Sequence, residues 1–244
     1  MKFKIMGKRK SFNEGSNILH TFIATCILLV LFCGVSFAQK TSSSNSEWLT
    51  FNGGFDAIRY SSLTQITPQN VASLIKTGEY TITDTVPFQS GPVMIGKMLY
   101  FTTGFNTYAA DAITGKIIWT HKFKGKGALL DNSRGAAYDN CKIFRSTLDA
   151  HVLAFDSQTG KVIWDVVAGN TELGEYCCAA CLAWGGKIFV ATAGSDVGAV
   201  GRVMALDEKD WHRLWSFDIV PATGPGADTW PSDPNKLRAG GGVW

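Results

Sequence analysis

Downstream of Gln89 the chain alternates short apolar runs with polar turns, and it nowhere sustains the apolar spacing of an amphipathic helix. Gly96-Lys-Met-Leu-Tyr-Phe-Thr102 and Gly186-Lys-Ile-Phe-Val-Ala-Thr192 are β-branched and aromatic runs opening on Gly-Lys, the composition of strands. One short segment reads differently: Pro68–Lys76 predicts a small helical element with Thr67 as its N-cap.

The same pattern recurs at long range. Tyr108-Ala-Ala-Asp-Ala-Ile-Thr-Gly-Lys-Ile-Ile-Trp119 returns as Leu153-Ala-Phe-Asp-Ser-Gln-Thr-Gly-Lys-Val-Ile-Trp164, a spacing of 45 residues between Asp111 and Asp156 and between Trp119 and Trp164. A third copy, Met204-Ala-Leu-Asp-Glu-Lys-Asp-Trp-His-Arg-Leu-Trp215, follows 51 residues on; it keeps the aspartate and the last tryptophan but not Thr-Gly. Each copy predicts a hairpin in which a strand ends at Asp, Gly115 or Gly160 supplies a positive φ for the turn, and a second strand ends on Trp. About four strands per unit at this period specify an all-β protein built as a β-propeller of four-stranded blades. Three blades are visible, so the propeller is incomplete in this chain, and a truncated longer protein is the expected reading. Open blades leave sheet edges and apolar faces exposed, which implies self-association.

The N-terminus changes the charge picture. Lys2, Lys4, Lys8, Arg9 and Lys10 precede an apolar run over Phe22–Val35 and then Ser36-Phe37-Ala38, the layout of a secretory signal cleaved after Ala38; an uncleaved anchor is the alternative. The formal charge is +3, but cleavage removes five of 23 basic and one of 20 acidic residues, leaving 18 against 19. The mature chain, residues 39–244, is near neutral, and nucleic acid is not an expected partner. Composition, 45% hydrophobic and 18% charged, is that of a globular protein. Export places it in the periplasm or outside the cell, an oxidising setting in which Cys141, Cys177, Cys178 and Cys181 remain. Cys178-x-x-Cys181 lacks the histidine of a haem attachment motif. A disulfide, buried free thiols and a metal site all stay open for these cysteines, although adjacent Cys177 and Cys178 on a strand must face opposite ways.

Several further pieces carry a family resemblance. They are Trp48 with Arg59-Tyr60-Ser-Ser-Leu-Thr-Gln-Ile and Asn70-Val71, the Asp-x-x-Thr-Gly-Lys-x-x-Trp repeats, Asn132-Ser-Arg134-Gly135 before a strand, and Gly240-Gly-Gly-Val-Trp244. Over residues 47–244 the chain resembles the N-terminal part of the quinoprotein alcohol dehydrogenases, whose eight-bladed propeller holds pyrroloquinoline quinone (PQQ) and a Ca²⁺ or lanthanide ion. The resemblance implies that Arg134 contacts the quinone oxygens and that Trp244 is the floor on which the flat cofactor stacks, although a terminal tryptophan is expected to be poorly held. Gly194 and Ser195 fall where the family has small residues beside the cofactor, and Asp196 falls at a metal-binding glutamate.

The chain also departs from the pattern. Leu129-Leu130 stand in the region of an adjacent-cysteine disulfide, Gln89 stands where a cofactor-binding glutamate is usual, and Cys178 replaces a threonine. The family implies oxidation of an alcohol: the metal polarises the quinone, an aspartate base takes the hydroxyl proton, and electrons leave to a cytochrome or other exported acceptor. That base belongs to later blades, so this chain alone is expected to be inactive. The alternative function is a non-enzymatic exported propeller scaffold that binds protein or polysaccharide, which the altered pocket positions favour. A polymer-oxidising quinoprotein is a third reading, and nothing in these residues selects a substrate.

Overall fold

A computed structural model describes residues 47–84, 86–123, 132–231 and 239–244. The signal expected over residues 1–38 and the pair Leu129-Leu130 lie outside the described residues. Among the described residues the strands form three four-stranded antiparallel sheets, each in sequence order. The first holds β1 (Val93–Ile95), β2 (Met98–Thr102), β3 (Asn106–Asp111) and β4 (Ile117–Lys122). The second holds β5 (Ala137–Asp139), β6 (Lys142–Ser146), β7 (His151–Asp156) and β8 (Val162–Val167). The third holds β9 (Leu182–Trp184), β10 (Lys187–Thr192), β11 (Arg202–Asp207) and β12 (Arg213–Asp218). These are the blades of an incomplete propeller.

The repeat builds a specific turn. Asp111 accepts hydrogen bonds from the Thr114 amide at 2.7 Å and the Thr114 hydroxyl at 2.9 Å, and Asp156 accepts from the Thr159 amide at 2.8 Å and hydroxyl at 2.6 Å. Gly115 and Gly160 then adopt the left-handed conformation, both at φ +71°. In the third copy Asp207 still accepts from Lys209, but Trp211 takes the glycine's place at φ +59°. The strand after each turn does not stop at tryptophan as expected: Trp119, Trp164 and Trp215 are each the third residue of a six-residue strand. A register shift before each of them, at Ala109/Ala110, Ala154/Phe155 and Ala205/Leu206, accompanies this placement.

The first two of those tryptophans lock neighbouring blades. The Trp119 indole donates to the Ser157 carbonyl at 2.9 Å and lies so close to Gly160 that an added Cβ would sit 2.5 Å from the ring. The Trp164 indole donates to the Glu208 carbonyl at 3.1 Å and packs against Trp211. Around them Val93, Tyr100, Ile143 and Phe155 form one interblade core, and Phe144, Val152, Ile188, Met204 and Leu206 another. Gly78 lets the backbone preceding the first blade run against the Asp111–Gly115 turn, where a Cβ would sit 2.4 Å from the Thr114 carbonyl oxygen. On the third sheet the equivalent face is open: Trp215 is 44% and Phe217 63% exposed.

The helix expected over Pro68–Lys76 shrinks to one 3-10 turn, Val71–Ser73. Its apolar positions Val71, Leu74 and Ile75 are all exposed, so no core rewards a longer helix. Asn70 ties the loop instead, accepting from the Thr67 amide at 2.8 Å and donating to the Gln65 carbonyl at 2.7 Å.

Candidate functional site

The repeat turns gather at one end of the sheets. The connections into β1, β5 and β9 gather at the other, with the β10–β11 loop. Backbone bonds stitch those entry segments together: the Gly91 amide donates to the Arg134 carbonyl at 2.9 Å, and the Arg134 amide donates to the Cys178 carbonyl at 2.9 Å. Hydroxyls reinforce the stitching, with Thr102 bonded to both Ser90 and Ser133 and Ser146 donating to the Ala179 carbonyl at 2.6 Å. Gln89, Arg134 and Cys178 thus fall in the segments that enter successive blades. Gln89 accepts from Asn132 at 3.3 Å.

The β10–β11 loop brings the remaining residues. Gly194, at φ +117°, opens a 3-10 turn over Ser195–Val197 that carries exposed Asp196; a Cβ on Gly194 would fall 2.1 Å from the Gly174 carbonyl oxygen. The last glycines run along this loop: the Gly201 amide donates to Gly240 at 2.8 Å, and a Cβ on Gly242 would sit 2.8 Å from the Ser195 hydroxyl. Trp244 is better held than a terminal residue is expected to be, because the Val243 amide donates to the Thr192 carbonyl at 3.1 Å. The Arg134 guanidinium lies 5.6 Å from the centre of the indole, within cation–π range, and the Tyr176 ring meets the indole edge-on at 6.4 Å. Arg134 and Trp244 line one cleft with Ala179, Ala180 and Leu182, faced by Asn52 and Arg59.

Electrostatics confirm which groups share this neighbourhood. Burial raises the Cys178 thiol pKa, and the Arg134 charge pulls it back. Burial raises the Tyr176 phenol, followed by the charges of Cys178 and Asp196. The Arg134 Nε and Asn132 Oδ1 atoms are buried with no hydrogen-bond partner among the described residues, as is Thr192 Oγ1. Unsatisfied buried polar atoms are costly, and a planar, oxygen-rich anion offers acceptors to the guanidinium while stacking on the indole. The residues present therefore fit PQQ. Tyr176 went unnoticed in the sequence, where no motif marks it.

The four cysteines Cys141, Cys177, Cys178 and Cys181 are free thiols, so no disulfide forms among them. Cys177 and Cys181 sit in the second interblade core, whereas Cys178 packs with Leu148, Tyr176 and Ala193, the opposed facing expected of neighbours on an extended chain. Burial raises both core thiols, Cys181 to about 12. Among the described residues none of these cysteines joins a metal-holding cluster.

Residues 48–244 match the β-propeller domain of the PQQ-dependent glucose/ethanol/alcohol dehydrogenases. The chain belongs to this family. This quinoprotein chain is 34% identical over 211 residues to the dehydrogenase subunit of the alcohol dehydrogenase (quinone) of Gluconobacter oxydans, a match covering 77% of the chain and 28% of that subunit. It is 28% identical to the lanthanide-dependent methanol dehydrogenase of Methylacidiphilum fumariolicum, over 84% of the chain and 38% of that enzyme. The fold superposes on a quinohaemoprotein alcohol dehydrogenase of Pseudomonas putida with a TM-score of 0.70 at 26% identity, covering 72% of the chain and 27% of that enzyme. The quinoprotein chain thus spans roughly a third of the length of these relatives. PQQ with Ca²⁺ or a lanthanide is the cofactor set of the family. Among the described residues no helix is long and apolar enough to cross a membrane.

Proposed function

We propose that this chain is the cofactor-holding N-terminal part of an exported quinoprotein alcohol dehydrogenase. The observation that carries the reading is the convergence of Arg134 on the Trp244 indole, at the end of the blades where Asp196 also lies. When bound, PQQ would supply a quinone that accepts the two electrons of an alcohol's oxidation as a hydride. Arg134 contributes a fixed positive charge and an unpaired Nε–H to the quinone oxygens. Trp244 gives the flat stacking surface, and Gly194 and Ser195 let backbone approach the ring system. Asp196 donates carboxylate oxygen to Ca²⁺ or a lanthanide ion. Gln89 and Cys178 are neutral polar contacts in place of the family's glutamate and threonine.

The substrate class is an alcohol, with a cytochrome or quinone as electron acceptor in the periplasm. The aspartate base of the family has no counterpart among these residues, so the chain alone binds cofactor without turnover. The open face around Trp215 and Phe217 is the surface for association with further blades or with another copy. The departures at Gln89 and Cys178 favour a second reading, a non-catalytic exported scaffold for protein or polysaccharide.

Titration of the purified chain with PQQ and Ca²⁺, followed by cofactor absorbance and alcohol-dependent dye reduction, decides between them. Saturable, metal-dependent binding without turnover supports the quinoprotein. A folded chain that binds no PQQ leaves the scaffold, and turnover would contradict the missing base.

A further inference from the structure

The Trp244 backbone is fixed by the neighbouring Val243–Thr192 bond, but that bond does not set the two side-chain torsions of the indole, which is 45% exposed. Among the described residues the ring makes a cation–π contact with Arg134 at 5.6 Å and a ring contact with Tyr176 at 6.4 Å, the latter with planes at 83°. Their character differs. Arg134 covers the indole face with a charge, whereas Tyr176 is 4% exposed, packed among Leu148, Cys178 and Ala193, and held by the Ala193 amide donating to its carbonyl at 2.8 Å. A planar ligand that stacks on the face the guanidinium covers displaces that charge and leaves the buried Tyr176 in place. The Tyr176 contact then persists through binding, and the two ring planes, 83° apart, have the T-shaped geometry in which the edge of one ring meets the π face of the other.

We infer that Tyr176 is a positioning residue for the cofactor floor, its ring setting the plane of the Trp244 indole before PQQ arrives. The inference rests on the quinoprotein reading above. It assigns a role to a residue whose hydroxyl is dispensable and whose ring is not, so phenylalanine should replace it and leucine should not.

The test labels the chain with 5-fluorotryptophan and assigns the Trp244 fluorine resonance by its loss in Trp244→Phe. PQQ affinity is measured in parallel, with Ca²⁺ present. In Tyr176→Leu the Trp244 resonance is expected to move and broaden without ligand and PQQ Kd to rise about three- to tenfold, the equivalent of one aromatic pair; Tyr176→Phe restores both. Ile188→Val, in the other core, controls for general destabilisation and should leave the resonance in place. An unmoved resonance, or a PQQ Kd within twofold of the parent in Tyr176→Leu, overturns the inference. If Tyr176→Leu fails to fold, Tyr176→Met gives the same readings, and failure of Tyr176→Phe to restore the resonance overturns it as well. If the parent binds no PQQ while Tyr176→Leu still moves the resonance, the quinoprotein reading has failed and the bracing contact survives without a cofactor role.

Discussion

The Trp164 indole N–H donates to the Glu208 carbonyl 3.1 Å away, binding the last strand of one blade to the turn of the next. Trp119 and Ser157 repeat the arrangement one blade earlier at 2.9 Å. Trp215, the third copy, is 44% exposed where Trp119 is 9% and Trp164 4%. Truncation should therefore separate the copies. Trp164→Ala is expected to cost about 3–5 kcal/mol in urea unfolding, and Trp215→Ala about 1 kcal/mol or less. Equal losses would mean that Trp215 is buried in solution, by a further blade or a second copy.

Two glycines isolate the steric half of the same interlock. Gly160 and Gly96 both have positive φ, +71° and +57°, but only at Gly160 would a Cβ meet the Trp119 ring, whereas nothing lies within 4 Å of Gly96. Gly96→Ala should cost about 1 kcal/mol of backbone strain. Gly160→Ala adds overpacking and should cost about 1–3 kcal/mol more by the same unfolding measurement.

Much of this architecture was legible because the repeat writes it twice: aspartate, Thr-Gly and tryptophan each do a local job that spacing alone reveals. The third blade shows where legibility stops, since Trp211 holds a left-handed turn position that sequence assigns to glycine, and only its packing on Trp164 explains the exchange. Arg134 and Trp244 were found through family motifs. Tyr176 was not, because its role arises from a contact with a residue 68 positions away in the chain. The helix expected at Pro68–Lys76 failed for a complementary reason: propensity was present but no surface was there to bury it.

The turn aspartates give the fold an acid limb. Hydrogen bonds from Thr159 hold Asp156 below its ordinary 3.8, and Thr114 does the same for Asp111. A carboxylate with a depressed folded pKa adds stability above its unfolded value and loses it as pH falls through the folded one. Stability should thus decline below about pH 4. In Asp156→Asn the decline should be shallower, from a lower plateau at neutral pH, as read by thermal midpoints across the range. An unchanged slope would show that Asp156 is not depressed.

Thiol reactivity should follow burial. Cys141 is exposed, whereas Cys177, Cys178 and Cys181 are buried with raised pKa values. In the chain beginning at residue 39, an aromatic disulfide reagent is expected to modify Cys141 rapidly and the other three only on unfolding. Cys141→Ser should be silent until denaturant is added. Rapid reaction in that variant would place one of the buried thiols at the surface.

Arg134 offers the sharpest test of the cofactor chemistry. Its guanidinium is planar, faces an indole at 5.6 Å and has a buried Nε–H without a partner, three properties that a lysine ammonium lacks despite equal charge. If Arg134 acts as a fork on the quinone oxygens, Arg134→Lys loses a charged hydrogen bond worth about 1.5–3 kcal/mol, so PQQ Kd should rise roughly 10- to 100-fold. If it supplies only positive charge, lysine should bind within about threefold of the parent, and both forms should weaken with salt alike. Arg134→Gln separates the two contributions, because it keeps a planar donor and removes the charge. A graded loss, with lysine and glutamine each intermediate, assigns both geometry and charge to this one side chain.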